Sequence, residues 1–163
     1  MAFKPTTAQL GLKEIAANHD SQGGTALGTI IRANDATYGE GEFIWLKGLA
    51  ATAVGSWVVY TPDDWSTKLA VADDVGAVAT AMAATVADEF GWYQIQGKAV
   101  GKALASFADN AVVYLTATDG SVDDTLVAGD RVHNALGAHL VGTPSAGLAE
   151  FDLNRPHVDN IAD

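Results

Sequence analysis

The run D-E-F-G-W-Y-Q-I-Q-G-K-A-V-G-K, Asp88 to Lys102, restricts the fold more than any other stretch of the chain. Trp92, Tyr93 and Ile95 suit a pleated, half-buried surface. Gln94 and Gln96 alternate with Tyr93 and Ile95, the period of a strand with one wet face. Gly97 and Gly101 then break the run without charge or proline. Glycine inside a strand pattern marks a bulge or a sharp bend, as at a barrel corner. The stretch reads as a long, bent central strand with β structure built on both sides.

The flanking sequence continues that pattern. Leu27–Ala33, Glu42–Lys47, Ser56–Tyr60 and Ala111–Thr116 are strand candidates, and Lys68–Val71 is a shorter one. Gly76–Met82 is rich in alanine, which suits a helix, but its length and its flanks favour a strand. Arg131–His133 and Ala138–Val141 are weaker candidates. Leu148–Leu153 alternates apolar and polar residues and closes the body, with Asn154-Arg155-Pro156 ending it. Thr61-Pro62-Asp63-Asp64 and Asp119-Gly120 are turn signals. A short internal repeat is also visible. Ser56–Thr61 resembles Asn110–Leu115, and Val71-Ala72-Asp73-Asp74 stands where Val127-Ala128-Gly129-Asp130 stands later. The expected fold is all-β, a single β-sandwich or partly open β-barrel domain with an extended N-terminal arm.

Residues 1–24 read as that arm and a flexible joint, 25–156 as the body, and 157–163 as a short acidic tail. Phe3, Pro5, Leu10, Leu12 and Ile15 are spaced through a polar N-terminal stretch. Lys13–Asn18 is long enough for a short helix, although Gly11 and a thin apolar stripe weigh against one. Ser21-Gln22-Gly23-Gly24 is the joint. Such a segment is either a frayed terminus or an arm that orders on a neighbouring molecule. Its apolar residues favour the arm, because alone they would sit exposed.

The chain has 163 residues, enough for one domain with a real core. Its net charge of −11 repels phosphate backbones, so direct nucleic-acid binding is not expected. The same charge suits a positively charged partner surface. There is no cysteine, which removes disulfides, thiolate metal sites and cysteine nucleophiles together. No apolar run is long enough to span a bilayer. M-A-F-K-P-T-T lacks the apolar core of a secretory signal. The expectation is a protein made and used without crossing a membrane.

Nothing in the sequence assembles a catalytic constellation. His133 and His139 lack the spacing of a helical metal pair. The acidic pairs Asp63-Asp64, Asp73-Asp74, Asp88-Glu89 and Asp123-Asp124 fall at separate turns. They lack the alternate oxygens of a calcium loop, and look unlike one acid and one nucleophile of a glycosidase. No cofactor and no metal are expected. Trp45, Trp57 and Trp92 are core candidates in a chain whose apolar content is largely alanine. Trp65, in the polar turn Asp63–Thr67, is the tryptophan expected at the surface and a candidate contact residue.

Four segments together carry a resemblance. They are Tyr38–Gly48 (Y-G-E-G-E-F-I-W-L-K-G), Phe90–Ala99 (F-G-W-Y-Q-I-Q-G-K-A), Val113–Ala117 (V-Y-L-T-A) and Ala128–Val132 (A-G-D-R-V). In this order they resemble segments of the small capsid decoration, or cement, proteins of tailed bacteriophages, over roughly residues 27–156. The resemblance implies a non-enzymatic virion protein on the capsid exterior, assembled in the host cytoplasm. It also implies a major capsid protein as partner. A homo-oligomer is expected, a trimer suiting three-fold lattice sites and a dimer two-fold ones. Phe3, Pro5, Leu10, Leu12, Ile15 and Trp65 are the candidate capsid-contact residues. The alternatives are a carbohydrate-binding β-sandwich, which requires tryptophans exposed in one plane, and a hydrolase whose acids gather in space.

Overall fold

A computed structural model describes residues 3–6 and 12–161. The described residues are all-β, an 11-stranded antiparallel sheet that does not close into a barrel. The strands are β1 (Lys4–Pro5), β2 (Ile30–Asp35), β3 (Gly39–Lys47), β4 (Trp57–Tyr60), β5 (Thr67–Leu69) and β6 (Gly76–Ala81). They continue as β7 (Phe90–Lys102), β8 (Val112–Leu115), β9 (Val122–Asp123), β10 (Arg131–His139) and β11 (Leu148–Val158). Neighbours run β1-β2-β3-β7-β6-β11-β10-β8-β9, with β4 between β5 and β6 and a further pairing of β7 with β11.

The long strand expected at Asp88–Lys102 is β7, 13 residues long, and it serves three neighbours. Along one edge, residues from Phe90 to Gln96 pair with β3. Along the other, Tyr93 and Gln94 pair with β6, and Gln96–Lys102 pair with β11. The hand-over occurs at the bend. Gly97 takes φ +90°, and a Cβ there would lie 2.3 Å from the Glu40 carbonyl oxygen. Gln94 braces the bend from inside. Its Nε2 donates to the carbonyls of Gln96 (3.0 Å) and Lys98 (3.1 Å).

Gln94 is therefore not a wet-face residue, as its alternation suggested, but fully buried. The reason is that both faces of the β3–β7 pair are covered. Phe43, Trp45 and Trp92 form a cluster on one face. Ile44, Leu46, Tyr93 and Ile95 pack with Val58, Ala79 and Ala81 in another. A third cluster fills the curled half around β4, β8, β10 and β11. There Trp57 meets Phe151 edge-on at 4.9 Å, and Phe107 meets Phe151 at 5.1 Å.

The internal repeat has a structural counterpart. β4 lies between β5 and β6 as β8 lies between β9 and β10. Each unit carries a matching turn, closed by Asp74 N–H to the Val71 carbonyl (3.2 Å) and by Asp130 N–H to the Val127 carbonyl (3.1 Å). The buried Asp130 carboxylate accepts the Asp73 amide at 2.6 Å and ties the two turns together.

Three expectations change at element ends. Lys13–Asn18 contains a turn and no helix. Arg131–His133 and the start of Ala138–Val141 belong to one nine-residue strand, β10, whose register shifts hide its continuity, and Leu140 and Val141 lie beyond its end. β11 runs through Asn154-Arg155-Pro156 to Val158, so His157 and Val158 belong to the sheet rather than to the tail. Proline is tolerated there because it falls between ladders. Asn154 is the last partner of β7, and His157 is the first of β6. Arg155, at φ +52°, makes the step.

Candidate functional site

The leading segment does not stand apart from the body. The alternation of β3 and β7 puts Phe43, Trp45 and Trp92 on one face, and Trp45 lies 4.9 Å from Trp92. Among the described residues, no strand beyond β2, β3 and β7 contributes to the cluster on this face. Residues of the leading segment do so instead. Ile15, 3% exposed, sits in the cluster with Trp45, Trp92 and Met82, and Leu12 packs against it. Phe3 meets Phe43 edge-on at 4.7 Å. The His19 ring lies 5.3 Å from Trp45.

Polar contacts fix the segment in place. His19 and Phe90 exchange backbone hydrogen bonds, His19 N–H to Phe90 at 2.9 Å and Phe90 N–H to His19 at 2.8 Å. Trp92 Nε1 donates to the Lys13 carbonyl at 3.2 Å. Asn18 accepts the Val86 amide through Oδ1 and donates to Glu89 through Nδ2. The segment is thus a strap across the aromatic face. It is followed by the exposed joint Ser21–Gly24, where Gly23 and Gly24 take φ +56° and +86°.

The candidate contact residues fall into different settings. Phe3 and Ile15 are buried in the protein's own core, and Leu12 is half-buried against it. Pro5 is exposed, on the outermost strand β1. Leu10 lies outside the described residues. Trp65, expected at the surface, is half-buried. Its backbone takes φ +60°, unusual for so large a residue. Two backbone bonds hold it there, its N–H to the Thr61 carbonyl (2.9 Å) and the Lys47 N–H to its own carbonyl (3.1 Å). The indole lies so close over Gly28 that a Cβ there would sit 2.4 Å from the ring.

A polar and charged row crosses these strands near the bend. Arg32, Glu42, Gln96 and Asn154 stand directly opposite one another on β2, β3, β7 and β11. Glu42, whose side chain is 8% exposed, accepts from Arg32 Nε (3.0 Å) and from Arg155 at 2.8 Å. Lys98 pairs with Glu150 at 2.6 Å. Burial alone pushes the Glu42 carboxyl up, but the hydrogen bonds and charges of Arg155 and Arg32 together outweigh it and hold the group below 4.5. A lowered carboxylate stabilises the fold above its ordinary value, and this contribution fades as pH falls through the lowered one. Glu42→Gln is expected to cost about 1–3 kcal/mol at pH 7, the worth of hydrogen bonds to charged groups. Urea unfolding at pH 7 and pH 3 checks this, because the deficit should shrink at the lower pH.

The other sequence-level candidates remain dispersed. Asp64 accepts from Ser66 and from Lys47, and these bonds lower its carboxyl to about 2. Asp74 pairs with Lys68 and accepts the Val71 amide at 3.1 Å. Asp124 accepts the Ala108 amide at 2.9 Å. His133 and His157 stack at 5.1 Å across β10 and β11, with Asp159 3.5 Å from His133. Among the described residues, no group of three or more His, Asp or Glu is set to hold a metal ion, and no helix is long and apolar enough to cross a membrane. A groove of about 330 Å³ runs beside Tyr60, Pro62, Lys68 and Val75. Trp45, Trp57 and Trp92 are 0% exposed, so they offer no stacking platform for sugars.

No family model, curated protein or solved structure matches this chain. The functional reading therefore stands on its residues and geometry.

What the sequence missed here is the strap's seat. The signal for it was present as Phe43, Trp45 and Trp92 on one strand face.

Proposed function

We propose that this protein is a structural component of a tailed-phage head, binding the outer capsid surface and tying neighbouring major capsid subunits together. The observation that carries this reading is the way the open sheet ends. Its outermost strand, β1, is two exposed residues of the leading segment, Lys4 and Pro5. Among the described residues, Lys4 and Pro5 are registered against β2, at Asn34 and Ala33, and the Thr6 N–H donates to the Arg32 carbonyl at 3.0 Å. An exposed sheet edge of this kind can pair with an extended segment of another protein. The net charge of −11 suits a basic partner surface. The four segments that resemble capsid decoration proteins lie on β3, β7, β8 and the turn into β10. In this reading the body seats on the lattice, as a trimer or a dimer at a symmetry axis, and many modest contacts sum to a clamp.

The test is reconstitution. Purified protein added to heads that lack it is expected to sediment with them and to raise their resistance to heat and salt. Heads that neither bind the protein nor gain resistance would overturn the proposal.

A further inference from the structure

We propose that the strap Leu12–Asp20 exchanges between copies of this chain, so that the strap of one molecule seats on β3 and β7 of a second. The occupant of the aromatic face is already visible, since each molecule carries the segment that fits it. Ile15 fills the cluster of Trp45, Trp92 and Met82. His19 forms a two-way backbone bridge with Phe90. Asn18 and Lys13 bind atoms of Val86, Glu89 and Trp92. All these contacts are the same whichever copy supplies the strap. On the body side of the strap Ser21–Gly24 must change course, and those residues are exposed, with both glycines at positive φ; on the other side Phe3–Thr6, which seat on β2 and Phe43, go with the strap to the second copy. Exchange of an identical element through such a joint is a low-cost route to assembly.

Concentration decides between the two arrangements. In dilute solution a short joint gives the chain's own strap a high effective concentration, and the closed form prevails. Where copies are held side by side, the neighbour's strap competes on comparable terms. Exchange then links copies without any contact beyond those already present. This inference rests on the cementing reading for where such crowding arises, but its test needs no capsid.

The chain has no cysteine, so introduced thiols report unambiguously. His19→Cys in a tagged chain and Phe90→Cys in an untagged one are unfolded together, refolded over a range of concentrations and oxidised. A covalent heterodimer whose share rises with concentration is expected on a non-reducing gel. Its absence at every concentration overturns the proposal, provided the double variant closes the same bond within one chain. A second measurement needs no thiol. Deleting Ser21–Gly24 removes the slack required to fold back, so the shortened chain is expected to run as a dimer or larger by light scattering. A folded monomer would overturn the exchange. Either failure leaves capsid binding standing, and failed capsid binding leaves the exchange testable.

Discussion

Gly97→Ala is expected to lower the unfolding free energy by roughly 2–5 kcal/mol, the sum of left-handed strain and overpacking. Two independent features produce the effect. The residue takes φ +90°, which a side chain disfavours, and the added Cβ would sit 2.3 Å from the Glu40 carbonyl oxygen. That oxygen belongs to β3 and cannot swing aside as a flexible side chain would. Relief requires β3 and β7 to separate where Gln94 braces the bend and β11 takes over from β6. Guanidinium unfolding followed by tryptophan fluorescence measures the loss. An unchanged midpoint would show that the bend tolerates a side chain and that Gly97 is not what turns the strand.

Trp57→Ala is expected to cost about 3–5 kcal/mol, the range for truncating a large buried aromatic. Trp57 is 0% exposed and anchors the cluster in the curled half. Its ring packs edge-on against Phe151 at 4.9 Å, and its Nε1 donates to the Lys102 carbonyl at 3.1 Å. Truncation leaves a void beside Phe151 and an unpaired carbonyl at the end of β7. The surrounding side chains are largely alanine and valine and are too short to refill it. Calorimetry should record a fall in Tm of roughly 10 °C, at a few degrees per kcal/mol for a chain of this size. A fall of only a degree or two would mean that this cluster collapses freely around the missing ring. Trp65→Ala is the contrast, since its half-buried ring has less to lose.

Residue pattern alone made several elements legible. Glu42–Lys47, Ser56–Tyr60 and Ala111–Thr116 coincide with or overrun β3, β4 and β8 by a residue or so because β-branched and aromatic side chains favour a pleated surface. Gly76–Met82, where alanine argued for a helix, is strand β6 because pairing to β4 and β7 overrides local propensity. β10 was read as two pieces because its register shifts interrupt the alternation that periodicity detects. The leading segment's apolar spacing was visible, but its destination was not. Phe3 and Ile15 reach their seat through contacts with residues such as Phe43 and Trp92, far along the chain.

The sequence by itself determined the all-β class, the long bent strand at its centre and the glycine that bends it. Each follows from local conformational preference and side-chain alternation. The tertiary structure alone decided that Gln94 is buried, that Trp65 lies over Gly28 and that the strap covers an aromatic face. Those outcomes depend on which distant surfaces meet, and periodicity along one strand does not encode what lies across from it.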